Sequence, residues 1–518
     1  MSIKNQYDLC VIGGGIAGAL VATMATRKGL NVLLLEAGSR FKFSDRLQQL
    51  RRHEVLNEDL WPWVNESRDA FVDSSIKQIG YKYRLNTTRI KGLGGTTLHW
   101  GGKALRLRET DFRTASTYGL GIDWPINYAE LEPYYSLAEW EIGVSGTPNQ
   151  SDSPRSKPYP MPGFPVGANE AEWMPIANKL GISLDRVSHA RNSQNYAGRS
   201  HCLAYSVCNI CPSGAKYSGS FHIQEAENSG RCKVLTNTVA RRVDVNNSGD
   251  VIAVHASSLD GKEYSFRAKN YVIAAHATES ARLLLLSNVG NHSDQVGRNF
   301  MEHWYAAADG FSGTRNYPGR IGFSTLESTH FYEGKERLER GAIGIEFGLI
   351  SGSLDNVLER NIWGKELAHF DCENFGHRIG VAAEIEHQPN PDSRITLDPN
   401  IRDIFGDPVP HIHFALSDTD HRTHRRAHEI IASLLEARGL SDIKPTHNFV
   451  RAFHHMGTCR MSNDPDTGVV DRNCRVHGTN NLYLAGSSVF PTSGARQPTL
   501  TIAALALRLA DHLTSSPT

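Results

Sequence analysis

Three of the chain's eight cysteines fall within ten residues, in the stretch "HCLAYSVCNICPSGAKYSG" (201–219). Cys202, Cys208 and Cys211 are spaced C-x5-C-x2-C, with Pro212 following the last. Thiolates gathered this closely read as metal ligands or redox groups. A structural zinc or an ordinary cubane cluster takes four protein ligands, so the set is one short of either. Three thiolates suit a 3Fe–4S cluster, and such a cluster would carry electrons away one at a time. The alternatives are a zinc site completed by His201, or three thiols with no metal. The other five, Cys10, Cys232, Cys372, Cys459 and Cys474, are scattered and read as small core residues.

A second constellation lies at the start, in "YDLCVIGGGIAGALVATMATRKGLNVLLLEAG". Gly13, Gly15 and Gly18 form G-x-G-x-x-G between a strand pattern (7–12) and a helix pattern (19–27), and a second strand pattern (31–35) ends on Glu36. Gly13 permits the tight turn, Gly15 lets the backbone approach a pyrophosphate, and Gly18 lets helix and strand pack closely. The helix N-terminus presents N–H groups to phosphates. A carboxylate at Glu36 accepts hydrogen bonds from ribose hydroxyls and repels a 2′-phosphate, which disfavours NADP. A lone glycine motif marks any tight turn; both strands, the helix and the acid in register point to a bound dinucleotide. The segment leaves FAD and NAD both open.

The elements that must hold these groups fit a chain of 518 residues, long enough for two or three domain-sized units. Lys+Arg and Asp+Glu both number 55, which gives no argument for nucleic acid or an anionic membrane. No apolar run approaches the 20 or so residues of a membrane span. The opening "MSIKNQYDLCVIGGG" enters a strand pattern at once, so no signal peptide is expected. Three further stretches read as cofactor-facing elements. "KGLGGTTLHWGGKALRL" (91–107) is a glycine-rich loop of low bulk. "NYVIAAHATESARLLLLSN" (270–288) is a strand and helix, and "NLYLAGSSVFPTSGARQPTLTIAALALRLADHL" (481–513) is a strand, loop and closing helix.

With "FHHMGTCRM" (453–461), these stretches resemble the glucose–methanol–choline (GMC) family of FAD-dependent oxidoreductases, from Tyr7 to Leu513. "PNPDSRITLDPNIRDIFGDPVPHI" (389–412) resembles the family's substrate-domain sheet. The resemblance implies an α/β fold, a Rossmann-type FAD-binding domain interleaved with an antiparallel-sheet substrate domain. Residues 1–110, 225–300 and 450–518 would form the first, and 111–224 and 301–449 the second. Gly13, Gly15, Gly18, Glu36, Gly94, Gly95, Thr96, His99, Val239 and Gly486 are the implied cofactor-binding residues. Gly486 stands where the family often has an acid, so contact there falls to backbone N–H groups.

The resemblance also implies the catalytic pair. The family places a histidine three residues before the glycine of a Gly-Thr pair, here Gly457-Thr458, which selects His454 as the base and leaves His455 to packing. The second position precedes the proline of "PTLT" and is usually Asn or His; here it is Gln497. An amide is no base, but it can hold and orient a substrate hydroxyl. Beside it, Arg496 reads as a surface salt bridge, with contact to a sugar hydroxyl or a redox partner as the other reading. In some family members a histidine at the position of His99 carries FAD covalently through the 8α carbon; packing against the ring edge is the alternative.

The cysteine loop resembles the cluster loop of the family's bacterial iron–sulfur-containing sugar dehydrogenases. The expectation is therefore a sugar or glycoside dehydrogenase, oxidising C1 or C3 by hydride transfer to flavin N5. Electrons would leave through a 3Fe–4S cluster to a cytochrome-type acceptor, with a small partner subunit. Co-export with that partner would make it periplasmic; otherwise it is cytoplasmic. The rivals are a pyranose or glycoside oxidase using O2, and a catalytically idle flavoprotein redox subunit.

Overall fold

The computed structural model describes residues 6–42, 70–75, 85, 89–203, 210–314, 322–349, 362–374, 376–445, 450–451 and 453–515. Its first layer is a five-stranded parallel sheet in the order Leu482–Leu484, Ala268–Ile273, Tyr7–Ile12, Val32–Leu35, Cys232–Leu235. Tyr7–Ile12, Val32–Leu35 and Leu482–Leu484 are short, largely apolar runs buried on both faces, as a parallel sheet covered by helices requires. Helix Ile16–Arg27 packs against the last helix, Thr499–Ser515, which also packs on Tyr128–Ile142. The predicted strand–helix at 270–288 is found as Ala268–Ile273 and His276–Ser287, and the C-terminal strand and helix are also present.

Next to this layer stands a seven-stranded antiparallel sheet. Its order is Ser441–Pro445, Trp304–Phe311, Arg378–Ile385, Ile343–Leu349, Leu326–Ser328, Asp185–Arg186, with Val450–Arg451 also pairing to Trp304–Phe311. Helix Asp418–Ala437 covers one face, burying Ile430, Ile431, Leu434 and Leu435. Ser417 and Asp420 close its first turn as a reciprocal capping box.

The other face carries acids. Asp185 pairs with Glu327, Glu327 with Glu346, and Glu346 with Ala382, two residues from Glu384, which pairs with Tyr305. Cross-strand partners and i, i+2 residues share a face, so Asp185, Glu327, Glu346, Glu384 and Tyr305 stand in one patch.

One sequence expectation is corrected. The 389–412 region does not join the seven-stranded sheet. Its strands Arg394–Arg402 and Pro408–His413 pair with each other and with Val72–Asp73 in a separate sheet. Their turn brings Asp403, Phe405 and Asp407 to the central cavity instead. No helix among the described residues is long and apolar enough to cross a membrane.

Candidate active site

A cavity of about 650 Å³ runs between the two sheets. At one end it is lined by Gly13, Glu36, Ala274 and Ala485, the residues that follow four of the parallel strands. Ligands of open α/β sheets bind outside these carboxyl ends.

Each predicted glycine role has a measurable counterpart. Gly13 has φ +108°, and a Cβ there would lie 2.3 Å from Ala274 O. A Cβ on Gly18 would lie 2.0 Å from Gly13 O, so helix and strand could not pack at this distance. Gly15 has nothing within 4 Å of its missing Cβ and lines the cavity, leaving its backbone approachable. No side chain caps the helix that starts after Gly15, so its N-terminus suits an anion. Glu36 accepts hydrogen bonds from Gly14 N–H at 2.8 Å and Gly38 N–H at 2.7 Å, which fixes the carboxylate at the cavity. These residues fit a dinucleotide. Gly13→Ala is accordingly expected to purify with little bound flavin; a variant with the wild-type ratio of flavin to protein absorbance would contradict this reading of the turn.

Gly95, Thr96, His99, Val239 and Gly486 also line the cavity. Gly94 does not. It bends the chain at φ +109° and donates its N–H to Gly14 O at 2.8 Å, holding the 94–102 loop against the glycine turn. Burial, helped by the charge of Lys216, lowers the His99 imidazole to about 3, so this ring is neutral at working pH.

His454, His455 and Gln497 also line the cavity. Met301 and Met456 pair in an antiparallel bridge, which sets Glu302-His303 opposite His454-His455. Glu302 accepts the His454 backbone N–H at 2.6 Å, and its other oxygen faces His455 Nε2 at 3.2 Å. His455 Nδ1 lies 2.8 Å from His276 Nε2. The preceding Phe453 holds φ +63°, a conformation that costs a non-glycine residue about 1–3 kcal/mol. The Glu302 hydrogen bond and the methionine bridge hold it there.

Glu384 and His303, absent from the sequence reading, complete the site. Glu384 Oε1 lies 2.6 Å from His303 Nδ1 and 3.1 Å from His454 Nδ1, and the two Nδ1 atoms are 2.9 Å apart. These are proton-sharing distances. His303 Nε2 donates to Gly494 O at 2.8 Å. Burial alone pushes the Glu384 carboxyl up, but His303 and His454 outweigh it and hold it well below the carboxylate range. Burial likewise depresses His303, and Glu384 more than offsets it, so His303 is raised and favours the imidazolium. One proton lies between the two Nδ1 atoms beside the ionised Glu384; when it rests on His454 Nδ1, the Nε2 of that ring is the basic nitrogen. Glu384 also accepts from Gln497 Nε2 at 2.5 Å. The carboxylate fixes the amide's orientation, and Gln497 Oε1 is buried with no hydrogen-bond partner among the described residues.

Arg496 is a correction. It is buried, not at the surface, with its guanidinium on Glu327 and 5.5 Å from the Tyr332 ring centroid. The acidic face of the sheet supplies its counter-charge, which "GARQP" could not disclose.

Cys202 and Cys211 lie outside the cavity lining, and Cys208 lies outside the described residues. Arg191 bridges the two regions, with one nitrogen 3.7 Å from Cys202 Sγ and another 3.1 Å from Gly101 O. Lys216 does the same: its N–H reaches Cys211 Sγ at 3.4 Å and its ammonium donates to Trp100 O. Burial raises the Cys211 thiol, but the Lys216 N–H, Ser213 and the nearby cations outweigh it, and the net shift is downward. By contrast Cys10, Cys232, Cys459 and Cys474 are buried and pushed up to about 12 by desolvation, inert core thiols as expected. The side chain of Cys372 is outside the described residues.

Family models described as GMC oxidoreductase match residues 7–305 and 389–506. The chain is 32% identical to the fructose dehydrogenase large subunit of Gluconobacter japonicus, over 98% of this chain and 97% of that one. It is 29% identical to 6'''-hydroxyparomomycin C oxidase of Streptomyces lividus, over 98% and 92%. Among solved structures, pyridoxine 4-oxidase from Mesorbium loti matches with a TM-score of 0.71 at 18% identity, covering 99% of this chain and 100% of that one. That last likeness concerns the fold.

Proposed function

The chain belongs to the GMC oxidoreductase family, and from that premise we propose that it is an FAD-dependent dehydrogenase of a sugar or glycoside, with electrons leaving through an iron–sulfur cluster. The observation that carries the alcohol chemistry is His454, set in the cavity with its Nδ1 on Glu384 and beside Gln497. The glycine turn, Glu36 and the 94–102 loop would hold FAD, which would supply the acceptor for a hydride from the carbinol carbon. His454 Nε2 takes the hydroxyl proton. Glu384 stabilises the imidazolium that results, and the Gln497 side chain, at the cavity wall beside it, would help position the hydroxyl. The sugar class rests on the fructose dehydrogenase large subunit and the aminoglycoside oxidase among its relatives. C1 and C3 are the carbons to examine. For His99, acid precipitation that leaves yellow protein and an intact mass raised by one FAD would establish a covalent bond; free FAD in the supernatant would establish packing alone.

The electron exit is supported by Arg191 and Lys216, which tie Cys202 and Cys211 to the cavity-lining Gly101 and Trp100. Their positive charge suits thiolate ligands. Cys202, Cys208 and Cys211 would hold a 3Fe–4S cluster that hands electrons to a cytochrome-type acceptor, and the words "large subunit" in the name of the Gluconobacter relative favour a smaller partner subunit. Replacing Cys211 by serine is expected to remove the cluster's EPR signal and stop one-electron transfer, while sugar still bleaches the flavin in stopped flow. Hydride transfer precedes the cluster, so it survives. Protein reconstituted anaerobically and still holding far fewer than about three iron atoms per chain would end this part of the proposal. The oxidase reading, which the Streptomyces relative favours, would then be checked by O2 consumption.

A further inference from the structure

A chain of charged hydrogen bonds continues beyond the base. Gln497 Nε2 touches Glu346 Oε1 at 3.3 Å as well as Glu384. The same Glu346 oxygen accepts from Tyr305 OH at 3.2 Å and from the Lys103 ammonium. Lys103 lies 3.5 Å from Glu327 Oε2, and Glu327 binds Arg496. Gln497, Tyr305, Glu346 and Lys103 line the cavity; Glu327 and Arg496 stand behind them. Burial alone would discharge Lys103, but Glu346, Glu327 and Glu384 more than compensate and keep it an ammonium.

This wall is incompletely used. An ammonium has three N–H donors, and Lys103 has two carboxylate partners among the described residues. Every contact of Glu346 falls on Oε1, so its Oε2 has none among them. Gln497 Oε1 also has none. One Lys103 donor and the Glu346 Oε2 acceptor therefore remain at the part of the cavity that holds His454, with Gln497 Oε1 shut in behind them. Lys103 and Glu346 are mostly covered and open only to the cavity, so a polar ligand there can complete their hydrogen bonds. A lone alcohol engages His454 and Gln497 and leaves Lys103 and Glu346 idle. A second hydroxyl matches them, because it donates to Glu346 and accepts from Lys103 at once.

We infer that Lys103 and Glu346 are specificity residues that read a hydroxyl neighbouring the one being oxidised, making this a site for vicinal polyols rather than simple alcohols. The inference rests on the proposed dehydrogenase reading and extends it to named residues outside the His454 and Gln497 pair.

The test compares D-glucose, D-fructose and methyl glucosides with their monodeoxy analogues by anaerobic bleaching of the bound flavin. Wild-type protein is expected to disfavour one monodeoxy analogue of its best sugar on the order of 10²-fold or more in kcat/KM, because removing that hydroxyl strands buried charged partners. In Glu346→Gln the preference should shrink at least about tenfold, chiefly through the parent sugar, since the amide has lost the charged acceptor. Lys103→Met should shrink it too. Flavin content and reduction by dithionite serve as the folding control; Glu346→Gln is nearly isosteric and keeps the test open if Lys103→Met does not fold. Preferences unchanged in Glu346→Gln overturn the inference while leaving the dehydrogenase intact. If no sugar bleaches the flavin, the sugar reading and this inference fall together.

Discussion

Replacing His454 with alanine is expected to lower kcat for sugar oxidation on the order of 10²–10⁴-fold while FAD content stays normal. The size follows from what is removed. At working pH the hydroxyl must give up its proton as the hydride leaves, and His454 Nε2 is the basic atom presented by the Glu384 contact at Nδ1. Two neighbours do not replace it. His303 has both nitrogens engaged, one by Gly494 O and one by Glu384, and His455 is turned to Glu302 and His276. Gln497 has no proton-accepting chemistry of this kind. The glycine turn, Glu36 and the 94–102 loop that would hold FAD are separate residues, so cofactor content is expected to be retained. The measurement is the limiting rate of anaerobic flavin bleaching at saturating sugar. A variant that keeps more than about a tenth of the wild-type rate, with hydride transfer limiting, would show that another group is the base.

Glu384→Gln is expected to cost a comparable amount, on the order of 10²–10⁴-fold in kcat, although Glu384 is a positioning residue behind the base. An amide of the same shape presents one oxygen and one NH2 in place of two acceptor oxygens. The NH2 cannot accept the His454 Nδ1 proton. Donating to Nδ1 instead, it would drive that proton to Nε2, the atom that must be bare. The substitution also strips His303 of its counter-ion and Gln497 Nε2 of its strongest acceptor. Breaking a buried ion pair costs about 3–5 kcal/mol, so a lower Tm is expected as well. Stability alone does not account for the effect, and two readouts separate the causes. Sugar binding, followed by the concentration dependence of bleaching, should change far less than the limiting rate. Glu384→Asp, which keeps the charge but shortens its reach, should recover more rate than Glu384→Gln. Equal rates in wild type and Glu384→Gln would place Glu384 outside the machinery.

The nature of Glu384 also sets a pH expectation for stability. Its folded carboxyl is held below the value it has in the unfolded chain, so it contributes stability above the unfolded value, lost as pH falls through the folded one. His303 has the opposite sign: it is raised, so its contribution is complete below about pH 6.5 and declines as pH rises through its folded value. Thermal melts taken as pH rises from about 6.5 should lose that component in His303→Gln.

His454 and Gln497 were implied by the family resemblance, whereas the glycine turn and the acid at the end of the second strand could be read directly from the chain. These were legible because their chemistry is local. A positive φ at Gly13, the absence of a Cβ at Gly18 and a carboxylate at Glu36 are dictated by a strand, turn and helix contiguous in the chain. Which groups face the base depends on contacts between distant parts of the chain. His303 stands 151 residues from His454, and Gln497 stands 113 from Glu384. Their meeting depends on the Met301–Met456 bridge and on the register of Trp304–Phe311, Arg378–Ile385 and Ile343–Leu349, where a slip of one residue would turn Glu346 and Glu384 to the opposite face. In the sequence those two acids are indistinguishable from the rest of the 55 Asp and Glu. Arg496 was misread for the same reason: nothing near it in the chain announces Glu327, which reaches it from another strand. Local backbone demands fix residue types at fixed spacings, whereas the charge network is set by long-range strand pairing that leaves no periodic trace around any one of its members.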